Sequence, residues 1–186
     1  RPPRSTPLYS SAASDGYKRQ FYSLATGYLQ RKASWEILLK VSSGMYSDHA
    51  LEKVITKYEF NSLDIAFITE LSFGCIRYRK FLDLWIDHLS KLSHLKQPPK
   101  LRWLLHVGLY QLLKMDKIPF SAAISSTVEV TKRSDLKGLT GTVNAILRNT
   151  VRNIEKDNLP KIPSDEIERL SFVESMPLWL VNEIVN

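Results

Sequence analysis

The sequence predicts an all-α protein: a bundle of about seven helices with an extended N-terminal tail and a C-terminal linker helix. From Arg31 onward, apolar residues recur every three or four positions, which is the period of an amphipathic helix. No segment shows the alternation of a strand, and the β-branched residues of Ser125–Thr131 lie within helical spacing. Gly and Pro residues divide this pattern into separate helical segments.

The first half of the chain contains four of the predicted segments. The first helix runs from about Leu29 to Ser43. Ser47 or Asp48 is predicted to cap the second helix, and Asn61 the third, because short polar side chains at these positions accept from free backbone N–H groups. A fourth apolar face follows, and the pattern leaves open whether the chain bends near Arg79.

The second half is predicted to contain the central helix. The segment from Lys100 to Met115 is apolar almost all round, which is typical of a helix packed by neighbours on most sides. Gly108 lowers its helix propensity, and close approach of another helix would account for it. Ser121 is a candidate cap for the next helix, which extends to about Arg133. The last core helix has one apolar face, made of Val143, Leu147, Val151 and Ile154.

The composition divides the chain into a tail (residues 1–28), a domain (29–158) and a linker (159–186). Residues 1–20 are rich in Ser, Pro and Arg, with Asp15 the only acid. This composition is typical of the end of an organelle transit peptide and equally of an ordinary disordered tail. Because the chain does not begin with Met, we expect a processed or trimmed form. In the linker, a short capped helix is expected from Ser164, and the helix after Pro177 would bury its apolar side against something further along a longer protein.

Composition excludes several classes of protein. The formal charge of +7 favours a polyanion or an acidic surface as partner. A single cysteine, Cys75, rules out an internal disulfide and a multi-cysteine metal site, and the histidines lack metal-binding spacing. No apolar run approaches the ~18 residues that span a bilayer. We therefore expect no metal and no membrane partner.

No catalytic motif is present in the sequence. Cys75 is expected to be a buried structural residue, since it lies mid-helix among apolar neighbours with no base or cation nearby. Asp83 and Asp87 stand at i, i+4, and a solvated helix face is the favoured interpretation. No catalytic, cofactor-binding or metal residue is therefore assigned.

Basic residues supply the candidate site. They occur as small groups along the sequence, and each group taken alone is more typical of a solvated helix face. Together on one surface they would bind phosphates, because each cation that contacts a phosphate releases a counterion. Asn144, Arg148 and Arg152 follow at intervals of four residues and form one polar row on the last core helix. The residues predicted to contact phosphates are Arg31, Lys32, Arg77, Arg148 and Arg152.

Three stretches carry a family resemblance. They are Asp64–Arg77 (DIAFITELSFGCIR), Leu101–Pro119 (LRWLLHVGLYQLLKMDKIP) and Gly141–Arg148 (GTVNAILR). In this order they resemble the NusB-like N-terminal domain of the RsmB/Sun/Fmu family of 16S rRNA (cytosine-C5) methyltransferases, over about residues 30–155. The resemblance implies a NusB-like helical bundle that binds RNA.

The same resemblance implies a function for the longer protein. The module would dock small-subunit ribosomal RNA for its own C-terminal methyltransferase domain, which would use S-adenosylmethionine, with no cofactor bound by this fragment. The alternatives are a free-standing NusB-type transcription antitermination factor and a helical bundle that binds an acidic protein partner. The stretch Ser175–Val181 is similar to the family's linker and favours the methyltransferase. A chloroplast or other organelle stroma is the expected location, with the cytoplasm as the alternative.

Overall fold

The computed structural model describes residues 27–185, and within that range all regular structure is helical. The predicted tail, residues 1–28, lies outside this range apart from Gly27 and Tyr28, and Tyr28 is already the first residue of α1. The all-α prediction is confirmed. The described α-helices are α1 (Tyr28–Ser42), α2 (Ser47–Ile55), α3 (Ser62–Arg77), α4 (Arg79–Leu89), α5 (Pro99–Lys114), α6 (Phe120–Lys132), α7 (Thr140–Glu155), α8 (Glu166–Val173) and α9 (Leu178–Val185).

Helix α5 is the centre of the bundle. It contacts α1, α3, α4, α6 and α7, so it has a neighbour on almost every side. Its Leu104 and Leu109 are fully buried, and so is the polar side chain of Gln111. A Cβ added to Gly108 would lie 2.6 Å from Leu147 Cδ2 of α7. The predicted central helix and the predicted close approach at Gly108 are both confirmed.

Helices α1, α2 and α3 enclose a smaller second core. It consists of Ala33, Ile37, Ala50, Val54 and Ile68, all fully buried. Residues Ala33 and Ile37 are one helical turn apart on α1, as are Ala50 and Val54 on α2, which is the spacing of facing apolar stripes. This small core holds the α1–α2 hairpin against the rest of the bundle and leaves the polar faces of both helices outward.

Of the helix caps predicted for α2, α3 and α6, one is confirmed and two are wrong. Asn61 Oδ1 accepts from Asp64 N at 2.9 Å, so the predicted cap of α3 is confirmed. The prediction for α2 is wrong: this helix already begins at Ser47, after Tyr46, and has no side-chain cap. The prediction of Ser121 as a cap is also wrong, because α6 begins one residue earlier. Pro119 follows a short turn and is itself extended, with φ −59° and ψ 137°, and α6 begins directly after it.

Between α3 and α4 the chain bends at Tyr78, whose φ of −93° and ψ of 22° leave the helical region. The chain therefore bends one residue before Arg79, a point that the sequence pattern left open. Helix α4, which follows this bend, packs against α5.

Beyond α7, the chain folds back along the bundle. Asp165 Oδ1 caps α8 by accepting from Glu168 N at 2.9 Å, and α8 packs against α4. Ser175 Oγ accepts from Phe81 N at 3.4 Å, which fixes the turn before α9 to the start of α4. Helix α9 contacts α8 and leaves a group of large apolar side chains exposed: Leu178, Trp179, Ile184 and Val185.

Candidate functional site

A groove of about 750 Å³ lies between α6 and α7, with cationic side chains along its rim. Helix α7 contributes Asn144 and Arg148, and α6 contributes Lys132, Arg133 and Glu129. The floor is apolar or small, formed by Ala122, Ile124 and Val128, with Ser121 and Ser125 at the edge. A groove of this kind offers several donors to one extended anionic ligand.

Within the groove the cations outnumber the carboxylates. Arg133 Nε donates to Glu129 Oε1 at 2.6 Å, and Lys132 Nζ lies 3.8 Å from Glu129 Oε2. Arg148 Nε donates to the neutral Asn144 Oδ1 at 3.1 Å, and no carboxylate of the described residues lies within ion-pair distance of it. The rim therefore carries three cations against one anion, which leaves positive charge available for a ligand.

The local sequence explains why these residues meet. Only the short 3₁₀ turn Lys137–Leu139 and its flanks join α6 to α7, so the two helices pack side by side. Val143 and Leu147 bury one face of α7 in the core. Asn144 and Arg148, each one residue further on, are thereby directed to the rim of the groove.

The other predicted RNA-binding residues occupy several parts of the surface. Arg152 is exposed one turn beyond Arg148 on α7, and its Nη1 donates to Asn149 Oδ1 at 3.3 Å. Lys32 is partly exposed on α1, with its Nζ 3.7 Å from Glu36 Oε1. Arg77 is exposed at the end of α3 and does not line the groove.

Arg31 lies in the interior, in contrast to the other four. Its Nε donates to Gln111 Oε1 at 2.8 Å, and its guanidinium lies 4.4 Å from the centre of the Phe67 ring. Burial lowers the pKa of Arg31 to about 10, so it remains charged at neutral pH. The side chain connects the start of α1 to α5 and α3 and is not available to a phosphate in this conformation.

Two residues of the groove, Lys132 and Arg133, are absent from the predicted set. They stand at the end of α6, where cations also stabilise the negative end of the helix dipole, so their presence there needs no ligand to explain it. The signal that could have identified them is the short connection to α7, because it brings the end of α6 beside the row that contains Arg148.

The expectation of a solvated carboxylate pair is wrong for Asp83. Asp83 is 6% exposed, its Oδ1 accepts from Arg102 Nε at 2.7 Å, and its Oδ2 pairs with Arg102 Nη2. His106 Nε2 lies 2.9 Å from the same Oδ1. Because a carboxylate oxygen only accepts, Nε2 carries the proton, and His106 Nδ1 is buried without a partner in the described residues.

The pKa values in this buried cluster follow from its contacts. Burial alone would raise the pKa of Asp83, but the hydrogen bonds from His106 and Arg102 outweigh it and lower that pKa to about 2. Burial lowers the pKa of His106, and Asp83 offsets this only in part. The cluster therefore holds an ionised Asp83, a charged Arg102 and a neutral imidazole, which is a structural arrangement inside the bundle and not a reactive pocket.

Asp87 and Cys75 match their predicted environments. Asp87 is exposed at the end of α4, where its Oδ2 lies 2.7 Å from His94 Nδ1. Cys75 is fully buried in α3, and burial raises the pKa of its thiol. The prediction of a buried cysteine is confirmed.

Among residues 27–185, no three His, Cys, Asp or Glu side chains come together as a metal site. In the same range, no helix is long and apolar enough to cross a bilayer.

Comparison with known proteins identifies the family. The chain is 37% identical over 136 residues to the "Probable ribosomal RNA small subunit methyltransferase B" of Synechocystis, covering 73% of this chain and 30% of that protein. It is 32% identical over 157 residues to the Bacillus subtilis protein of the same name, covering 82% and 34%. The "Ribosomal RNA small subunit methyltransferase B" of Thermus thermophilus is 34% identical over 113 residues, covering 60% and 27%.

The chain thus spans about a third of the length of these relatives. The model of the NusB family matches residues 29–152, the range from the start of α1 almost to the end of α7. The all-helical bundle and this match agree, and the chain belongs to the NusB family.

Proposed function

We propose that this chain is the RNA-binding domain of an S-adenosylmethionine-dependent rRNA (cytosine-C5) methyltransferase, where it docks small-subunit rRNA for the catalytic domain. The family match and the names of the relatives support this assignment. The observation that carries it for this chain is the α6–α7 groove, in which Arg148 faces Lys132 and Arg133. S-adenosylmethionine would bind to that catalytic domain.

The groove suits a nucleic-acid backbone. Arginine donates in a planar fork that matches phosphate oxygens, and Arg148 has no competing carboxylate among the described residues. Arg152 extends the row by one turn along α7. The proposed surface does not include Arg31, because its guanidinium is buried against Gln111 and Phe67.

The linker suits a connection to a following domain. Helix α9 exposes Trp179 (69%) and Ile184 (66%), although each would be more stable away from water. We propose that this apolar side packs against the methyltransferase domain of the longer protein. The relatives, about three times as long as the matched region, contain room for such a domain.

The test is a salt titration of RNA binding. Fragments of small-subunit rRNA are titrated with the wild-type chain and with the double variant R133A/R148A at several salt concentrations. Each lost phosphate contact lowers the magnitude of the slope of log K against log salt by about 0.7 to 0.9, so we expect a decrease of about 1.5. The variant K91A/K96A removes the same charge between α4 and α5, away from the groove, and serves as the control.

An unchanged slope in R133A/R148A would remove the groove from the RNA-binding surface. Absence of RNA binding, together with tight binding of an acidic protein, would favour the alternative of a helical bundle that binds an acidic protein partner. The two results are distinguishable because only the first retains binding of RNA.

We also propose a chloroplast or other organelle stroma as the location. The support is the composition of residues 1–20, which are rich in Ser, Pro and Arg and have Asp15 as their only acid. Deletion of residues 1–20 from a full-length fluorescent fusion should abolish import. Unchanged organelle localisation after the deletion would contradict the proposal.

A further inference from the structure

A second groove, of about 600 Å³, lies between α1 and α2 on the hairpin held by the small core. One wall is formed by Glu36, Leu39 and Lys40 of α1 and by Ser43 directly after it, and the other by Lys53 of α2 and Lys57 in the turn after α2. None of these side chains belongs to the α6–α7 groove, and neither the sequence nor the family match assigns them a role.

Basic side chains lie on both walls of this groove. On α1, Lys32, Glu36 and Lys40 follow one another at intervals of four residues, and residues at this interval lie on one face of a helix. On the other wall, Lys53 belongs to α2 and Lys57 to the turn that follows it.

Charge in the groove is only partly neutralised. Glu36 lies 3.7 Å from Lys32 Nζ and 3.1 Å from Lys57 Nζ, and it also accepts from Tyr58 OH at 2.9 Å. Within residues 27–185, neither Lys40 nor Lys53 has a carboxylate at ion-pair distance. These two lysines remain free to bind an anion.

An exposed aromatic ring stands at the end of the hairpin. Tyr46 is 81% exposed in the turn between α1 and α2, and Met45 N donates to Lys40 O at 3.1 Å, which keeps this turn beside the end of α1. The His49 ring contacts Tyr46 edge-on, with centroids 6.3 Å apart and planes at 88°. This contact leaves a face of the Tyr46 ring open for stacking.

Both grooves are connected along α1. The Arg133 guanidinium, on the rim of the first groove, lies 4.7 Å from the centre of the Tyr28 ring. Tyr28, Lys32, Glu36 and Lys40 follow at intervals of four residues, so one ridge of about 18 Å leads from Arg133 to the second groove. A single extended ligand could contact both.

We propose that the α1–α2 groove binds a single-stranded segment of the RNA held by the α6–α7 groove. Lys40 and Lys53 contact its phosphates, and a base stacks on Tyr46. Proteins that bind single strands combine a cationic groove with aromatic rings on which bases stack. An acidic peptide would use the lysines but not the open aromatic face. The inference rests on the proposed RNA-binding function. It adds a second binding site and specifies that this site takes single-stranded RNA.

The experiment compares two rRNA hairpins, one blunt and one with a single-stranded extension. Both are titrated with the wild-type chain, K40A/K53A, Y46A, Y46F, the control K91A/K96A and the first-groove variant R133A/R148A. We expect the extension to tighten binding to the wild-type chain. K40A/K53A should lower the salt slope for the extended RNA by about 1.4, and Y46A should weaken binding to it at least about fivefold. Y46F, which keeps the ring, should behave as the wild type, and the blunt hairpin should bind K40A/K53A, Y46A, Y46F and K91A/K96A as tightly as the wild-type chain.

Three other outcomes separate a failure of the second site from a failure of the proposed function. If R133A/R148A weakens both RNAs while K40A/K53A and Y46A leave both unchanged, the proposed function stands and the second site is overturned. If neither hairpin binds, the proposed function fails and this inference fails with it. Displacement of the extended RNA by polyglutamate at equal charge concentration would identify an acidic protein as the occupant and overturn the single-strand site.

Discussion

Asp83 supplies the negative charge that balances Arg102 in the contact between α4 and α5. It accepts hydrogen bonds from Arg102 and His106 of α5 while itself only 6% exposed. Asp83→Asn keeps the shape but leaves Arg102 without a counter-charge, and loss of one partner from a buried pair costs about 3 kcal/mol of the free energy of unfolding. Urea denaturation of the two proteins measures the difference.

The matched control is the second carboxylate of the same helix. Asp87 stands four residues later and is exposed, so Asp87→Asn should cost less than about 1 kcal/mol. Equal losses for the two variants would show that the buried cluster does not contribute to stability.

His106 makes stability depend on pH with a definite sign. Burial holds its folded pKa below the ordinary value of 6.5, and a proton on the buried Nδ1 would have no acceptor among the described residues. The unfolded chain therefore binds a proton that the folded chain does not, and stability falls as pH drops below about 6.5. NMR titration of the imidazole, assigned with His106→Gln, should give a pKa below 6.5, and a value above it would contradict the prediction.

At the scale of helices, the contact between α5 and α7 depends on a missing side chain. A Cβ at Gly108 would lie 2.6 Å from Leu147 Cδ2, and Leu147 is fully buried and cannot move into solvent. Gly108→Ala should therefore lower the free energy of unfolding by about 1 to 3 kcal/mol, although alanine favours a helix over glycine. Thermal or urea denaturation provides the measurement.

Gly141 in α7 provides the comparison for Gly108. No heavy atom lies within 4 Å of a Cβ added there, so Gly141→Ala should retain the gain in helix propensity, about 0.5 to 1 kcal/mol. The loss from Gly108→Ala should also be smaller in a Leu147→Ala background. If both glycine substitutions stabilise the protein, the proposed steric role of Gly108 is wrong.

The helices could be predicted from the sequence because their buried faces repeat with the helical period, and α5 was evident from its apolar residues on all sides. Asn61 could be predicted as a cap for a local reason, since the donor is only three residues away. Asp83 could not, because Arg102 and His106 lie 19 and 23 residues further on and meet it only after the connection of residues 90–98 folds α5 back against α4. Periodicity places a residue on a face but does not identify what packs against that face.

The same distinction applies to the candidate site of the whole molecule. Arg148 could be chosen from its polar row on α7, whereas its neighbours Lys132 and Arg133 required the packing of α6 beside α7. Arg31 is the opposite case. It follows aromatic residues in the sequence and was predicted to contact RNA, but its guanidinium is buried against Gln111. Which cations share a surface is thus decided by helix packing, which the sequence specifies only indirectly.

Across the whole molecule, stability should decrease from α5 to α9. Helix α5 is packed by five other helices, whereas α8 contacts α4 and α9 contacts α8. Helix α9 also buries only Val181 and leaves Trp179 exposed, so its opening exposes little additional apolar surface. Amides of α9 should therefore exchange with solvent deuterium roughly 100-fold faster than those of α5, as measured by native-state hydrogen exchange.

Helix α8 should exchange at an intermediate rate, because Asp165 caps it and Ser175 ties the following turn to α4. The variant Asp165→Ala removes the cap and should speed exchange in α8 and α9 together while leaving α5 unchanged. Equal protection of α9 and α5 in the wild-type chain would mean that the linker opens only when the whole bundle unfolds. In that case the apolar side of α9 could not rearrange against a following domain without loss of the bundle itself.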